Sequence, residues 1–310
     1  MKKQMLCVSL IAAALLAMLM GPSVASAGPQ KHIRAMMDVA NAHLEAMGEP
    51  IGVGAVEYYT AGEEVGQIVY YNDRTKQYGI RWVPGDPGRH DGTEITWTSN
   101  LLDGTATGLT HAETQAELCS AMATWGNANC AEIPLVMQLY PGVDWGLYQW
   151  VAGYVNSPLP FVPIDWGIDI AHAGWLPGAF FDWLYGPGAS DSVIGVAITF
   201  YWLEYPGGPP SDIDNNGKFD TAFVEIYYNN AFPWGVGTDW PLDVRTVVLH
   251  EAGHALSIDH FGRIFRTAAN GKVHFAPLAI MNAGYSRKLW RLKGTDLASY
   301  CSVWAAWPKK

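Results

Sequence analysis

Charge is scarce in this sequence. Only 15% of its 310 residues are Asp, Glu, Lys or Arg, and 19 basic residues face 29 acidic ones. The resulting net charge of −10 repels phosphate backbones and anionic membrane surfaces, which argues against nucleic acid or acidic lipid as a partner. Cysteine is also scarce, at 4 residues, so a disulfide-dense scaffold is excluded. The sequence has no internal repeat, and past residue 27 it has no apolar run long enough to cross a bilayer. What is abundant is core-forming material, with 49% hydrophobic and 13% aromatic residues. Such a chain packs rather than staying disordered, and its length suits one large domain or two ordinary ones.

The single long apolar run lies at the start. Lys2 and Lys3 precede a stretch from about Met5 to Met20, Gly21-Pro22 ends it, and Ala25-Ser26-Ala27 supplies a small-x-small cleavage pattern. The run is short for a spanning helix, so residues 1–27 are expected to be a signal peptide that is removed, leaving an exported, soluble chain. That chain would keep 17 basic and 29 acidic residues, a net charge of −12. Export permits disulfides. Cys119, Cys130 and Cys301 remain, and the short connection makes Cys119–Cys130 the expected pair, with Cys301 a buried free thiol. Pairing of Cys301 with either partner stays open.

Residues 31–47 carry apolar side chains at helical spacing, and strand-like runs follow at Val53 to Tyr59, Gln67 to Tyr71 and Tyr78 to Val83. Pro84-Gly85-Asp86-Pro87-Gly88 reads as a boundary. Residues 28–92 are therefore expected to form a small α+β unit, either a pro-segment or an accessory domain. It holds no cysteine, so a thiolate there cannot block a metal. From 93 to 310 one further domain is expected. Strands are predicted at Ile95 to Trp97, Ile133 to Leu139, Gly167 to Ile170, Val193 to Trp202 and Thr221 to Tyr228. Helices are predicted at Ala112 to Trp125, Leu242 to Leu256 and Thr295 to Trp304. The 172–188 stretch reads as a loop. This order of elements makes the fold class α+β, a mixed sheet with a few long helices.

The most informative stretch is His250-Glu251-Ala252-Gly253-His254, followed at His260 by a third imidazole. Residues four apart share one helix face, so His250 and His254 can address one metal while Glu251 sits beside it, where a general base belongs. His260 cannot reach that face on the same helix, so the chain must turn after Ser257. Three imidazole nitrogens with one open position are the ligand set of a catalytic zinc.

HEAGHALSIDH (250–260) resembles the metzincin signature HExxHxxGxxH, closest to its matrixin branch, and Pro277 to Asn282 resembles the Met-turn, with Met281 beneath the metal. Thr110 to Trp125 resembles the first long helix of that clan. The resemblance covers about residues 93–310. It implies a secreted zinc endopeptidase acting on protein or peptide substrates: zinc on His250, His254 and His260, Glu251 taking the proton of an activated water, and a cleft lined by the zinc helix. Ser257 replaces the usual turn glycine, and the strands before the helix lack histidines for a second, structural zinc. Tyr285 follows Met281 by four residues, so a tyrosine ligand is not carried over. The rival expectation is a non-catalytic binding protein on the same scaffold.

Asp212-Ile213-Asp214-Asn215-Asn216-Gly217-Lys218-Phe219-Asp220 follows the start of an EF-hand loop. Asp212, Asp214, Asn216, the Lys218 carbonyl and Asp220 are its candidate calcium ligands, but the twelfth position is Phe223 rather than a bidentate Glu. His172 and His274 read as ordinary hydrogen-bonded histidines, and the 14 Trp residues as core and interface mass.

Overall fold

Ile33, Met37, Ala40 and Leu44 recur at helical spacing and are wholly buried, which makes Pro29–Met47 an amphipathic helix, α1. Its first residue is proline, whose missing N–H costs nothing in a first turn. The computed structural model describes residues 29–61, 66, 68–70, 79–89, 92–102, 104–139, 146–155, 168–267 and 273–309. The expected leader, 1–27, lies outside them.

After α1 come β1 (Ile51–Ala61), β2 (Ile68–Tyr70), β3 (Ile80–Arg81), β4 (Ile95–Ser99), α2 (His111–Gly126), β5 (Leu135–Met137) and a short α3 (Leu147–Val151). The chain continues through β6 (Ile170–Leu176), α4 (Gly178–Tyr185), β7 (Val193–Trp202), β8 (Phe219–Asn229), β9 (Trp234–Gly235) and β10 (Leu242–Asp243). It ends with α5 (Val244–Ala255), β11 (Arg263–Arg266), β12 (Val273–Ala276), β13 (Gly284–Tyr285) and α6 (Gly294–Trp304). The main sheet runs β13-β1-β7-β8-β6-β4-β5, with β2 paired to β1 and β3 to β8. β7 runs antiparallel to both its neighbours, β1 and β8, whereas β8, β6, β4 and β5 are parallel. The protein is an α+β fold on a mixed sheet.

Alternation along β8 shows how the layers divide. Val224, Ile226 and Tyr228 join the core that contains α2, α5 and α6, while Phe223 and Tyr227 join the core under α1, α3 and α4. Both faces of the sheet are covered, so its central strands are apolar almost throughout. No helix among the described residues is long and apolar enough to cross a membrane.

Three expectations are corrected. Residues 28–92 do not stand apart: β1 is paired along β7 from Ile51 to Thr60 and lies between β7 and β13 in the sheet that carries the 93–310 elements. The expected boundary is tied in as well, because Arg89 just after it forms a buried ion pair with Asp169 at 2.8 Å. The disulfide joins Cys130 to Cys301, with 5.6 Å between their Cα atoms, and Cys119 is the free thiol. A short connection misled here because most of it is rigid helix. Cys119 sits about two turns before the end of α2, which carries it away from Cys130 by roughly 10 Å. Finally, the predicted strand ending at Ile170 begins there, and the expected 172–188 loop is the rest of β6 followed by α4.

Candidate metal centre

Helix α5 begins at Asp243, whose carboxylate accepts from the Thr246 backbone N–H at 2.9 Å, and every residue of the helix except Arg245 is buried. Three tryptophans fasten it. Trp125 of α2 donates its indole N–H to Leu249 O at 2.9 Å, Trp82 to Ala255 O at 2.8 Å and Trp304 of α6 to Leu256 O at 2.8 Å. The last two satisfy carbonyls that a helix end leaves without intrahelical donors. Thus part of the tryptophan content expected to be core mass also positions the helix that carries the histidines.

The helix stops in a Schellman-type turn: Ile258 N–H donates to Gly253 O at 3.0 Å and Ser257 N–H to His254 O at 2.8 Å. Ser257 takes the left-handed position itself, at φ +61°. The serine therefore adopts the backbone that glycine adopts freely, at a cost of order 1 kcal/mol. The turn brings His260 back against α5.

His250, His254 and His260 then meet at their Nε2 atoms, separated by 3.1 Å (250–254), 2.9 Å (250–260) and 3.0 Å (254–260). His250 Nδ1–H donates to Ile280 O and His254 Nδ1–H to Ile258 O, each at 2.8 Å. Carbonyls only accept, so both rings carry their proton on Nδ1 and present an Nε2 lone pair. Burial and the neighbouring rings hold both pKa values well below the ordinary histidine range, and burial takes His260 down to about 3, so all three rings are neutral. At most one of the three contacts is then a hydrogen bond. Lone pairs facing one another at this distance suit a shared cation. Nitrogens on one zinc at roughly 2.0–2.1 Å with tetrahedral angles stand roughly 3.3 Å apart, close to this triangle.

The surroundings hold these rings in place. Asp296 of α6 accepts from Ile280 N–H at 3.0 Å and Met281 N–H at 3.1 Å, fixing the turn whose carbonyl grips His250. Asn282 donates to Phe261 O beside His260, and Phe261 N–H donates to Met281 O at 3.0 Å. Met281 is wholly buried against α5, and a Cβ at Gly253 would collide with its sulfur. Tyr285, by contrast, accepts from Asp243 N–H and donates to Asp239 O. Glu251 is fully buried, with neither carboxylate oxygen hydrogen-bonded among the described residues, and burial raises its pKa well above the carboxylate range. It faces β7 at Gly195, where a Cβ would stand 2.5 Å from Oε1.

Two residues bordering the triad carried no sequence signal strong enough to single them out. Tyr59 stacks on His250 at 3.6 Å between ring centroids and pairs with Gly195 in the β1–β7 ladder. Glu57 is buried, and its Oε2 stands 3.0 Å from His254 Nδ1. The Nδ1 proton is already directed to Ile258 O, and burial, with Asp259 and Glu251 nearby, raises the Glu57 pKa well above the carboxylate range. Glu57 therefore lies against that ring as a buried carboxyl and not as its main acceptor. A lone carboxylate in the otherwise uncharged strand Ile51–Ala61 was the available clue.

The remaining candidates lie elsewhere. His172, on β6, pairs with the Tyr228 hydroxyl at 2.8 Å, and His274, on β12, stacks on Phe265. Asp212, Asp214 and Asp220 come together in a second cluster, with one carboxylate oxygen from each within 4.8 Å of the others. No protein-family model matches this chain, and no curated protein is significantly similar to it.

Proposed function

We propose that this chain is an exported zinc-dependent endopeptidase of the metzincin type, closest to the matrixins, with His250, His254 and His260 holding the metal. The observation that carries the reading is the convergence of three neutral Nε2 atoms, two of them fixed as lone-pair donors by Nδ1–H bonds to Ile280 and Ile258. Bound zinc would supply a Lewis acid that polarises a peptide carbonyl and acidifies water. The chain's own contribution is orientation and proton handling. Burial alone would keep Glu251 protonated, but the charge of a bound zinc beside it favours the carboxylate. That carboxylate, one residue after His250 and with space left by Gly195, takes a proton from water and returns it to the leaving nitrogen. Met281 gives an apolar floor, and Asp296 keeps the turn above it rigid. The Cys130–Cys301 disulfide suits an oxidising compartment and so supports export.

One observation favours the non-catalytic reading, a binding protein on the same scaffold. β1 lies along β7, and the Tyr59 ring covers one face of His250, so a peptide has no approach on that flank. His260 is the least buried of the three residues. Metal analysis with a broad peptide-library digest, run on the parent chain and on Glu251→Ala, separates the two. The endopeptidase reading expects about one zinc per chain in both, with hydrolysis in the variant lower by roughly 10²–10⁴-fold. A parent chain with zinc but no zinc-dependent hydrolysis would leave the binding protein. Full hydrolysis in zinc-loaded Glu251→Ala would remove Glu251 from the chemistry.

A further inference from the structure

We infer that Asp212, Asp214, Asn216, the carbonyl of Lys218 and Asp220 form a weak calcium site that ties the β7–β8 connection to β3. The cluster is more than an acidic turn because one of its members is buried. Asp220 is 1% exposed, and its Oδ2 is used by the Ser211 hydroxyl at 2.6 Å and the Ile213 N–H at 2.9 Å. Its Oδ1 is buried with no hydrogen-bond partner among the described residues. A buried carboxylate oxygen left without a donor is costly, and a cation shared with the two neighbouring carboxylates removes that cost.

The loop is already folded for the purpose. Asp212 accepts from the backbone N–H groups of Asn216 and Gly217, both at 2.9 Å, and Asn216 Oδ1 accepts from Lys218 N–H at 2.7 Å. Asn215 and Gly217 take positive φ, at +55° and +76°, which turns the chain back on itself. The hard oxygen donors select calcium over softer metals.

The missing twelfth ligand sets the affinity. Phe223 is in the core, stacked on Phe200 at 4.2 Å, and so offers the site nothing. Glu225, two residues on, is committed elsewhere: it accepts from Leu147 N–H, Tyr148 N–H and the Tyr227 hydroxyl. Without a bidentate carboxylate the dissociation constant falls in the range of extracellular modules, roughly 10⁻⁴–10⁻³ M. The site also has a structural reach. Asp220 pairs with Arg81 in the β3–β8 ladder, Asp220 N–H donates to Ser211 O at 3.0 Å, and the next residue, Trp82, bonds the end of α5. Occupancy therefore steadies β3 and, through Trp82, the end of α5.

The test uses full-length protein stripped with EGTA and then dialysed free of it into buffer with one equivalent of zinc per chain. Addition of about 2 mM calcium chloride should raise Tm by about 1–3 °C, and equilibrium dialysis should saturate at one calcium per chain. Asp214→Ala, in a half-buried loop position, should melt like the calcium-free parent and lose the calcium increment. Asp220→Asn, which keeps an acceptor for Ser211 and Ile213, should lose it too. No increment in the parent up to about 10 mM calcium would overturn the site. So would an increment of parental size in Asp214→Ala.

Discussion

The histidine cluster and the acidic cluster of this molecule are held in different ways. Behind His250 and His254 stand the carbonyls of Ile280 and Ile258, inside a core that α2, α5 and α6 close. Around Asp212 and Asp214 stand mainly N–H groups of their own turn, at the surface. The imidazoles are neutral, so only their facing lone pairs oppose the convergence, whereas the carboxylates carry like charges that repel one another and a cation would relieve. Both clusters are prepositioned by hydrogen bonds, but the acidic one has more repulsion for a cation to relieve.

The largest expected effect breaks the first frame and spares the second. His254→Ala leaves two imidazoles, which hold zinc poorly, so both zinc content and peptide hydrolysis should fall to background while calcium still raises Tm. Asp214→Ala should do the reverse, keeping zinc near one per chain. Zinc at full occupancy in His254→Ala, measured by atomic emission after dialysis, would show that the triad is not the metal site.

A smaller effect probes the support behind the frame. Glu57 approaches His254 on the side away from the other rings, as outer-shell carboxylates do in metal sites. Glu57→Ala should weaken zinc by roughly 10–100-fold in a chelator competition, and Glu57→Gln should recover part of the loss by restoring a polar side chain of the same length. Equal affinity in all three proteins would reduce Glu57 to a packing residue.

How much of this was legible in sequence follows from the range of each signal. Helix α5 and β7 were predicted within two residues, because helical spacing of apolar side chains and an uninterrupted apolar run are local properties. The His250/His254/His260 convergence was readable because two of its members are four apart on that helix. β6 and α4 were lost to Gly174, Pro177 and Gly178, which look like breakers. Gly174 instead marks an irregularity in the β6–β8 ladder, and Pro177 caps α4. The contacts of Glu57 with His254 and of Cys130 with Cys301 join segments 197 and 171 residues apart, and no local pattern reports such pairings.

The smallest expected effect uses a histidine outside both clusters. His172 is a buried neutral imidazole, like the triad, but its one polar partner among the described residues is the Tyr228 hydroxyl. Burial lowers its pKa to about 3. The unfolded chain protonates this ring at its ordinary value near 6.5, so the native state has its full advantage above that pH and loses it progressively as the pH falls toward 3. The loss approaches about 1.4 kcal/mol per pH unit, or about 2 kcal/mol between pH 7 and pH 5. His172→Asn has no group that titrates there. Urea denaturation of parent and variant at the two pH values should therefore show a parental stability that declines more steeply by about that amount. Zinc protection adds its own pH dependence through the triad, but that contribution is common to both proteins and drops out of the difference. Parallel declines would mean that His172 takes up its proton without unfolding, and that burial alone does not keep an imidazole neutral in this core.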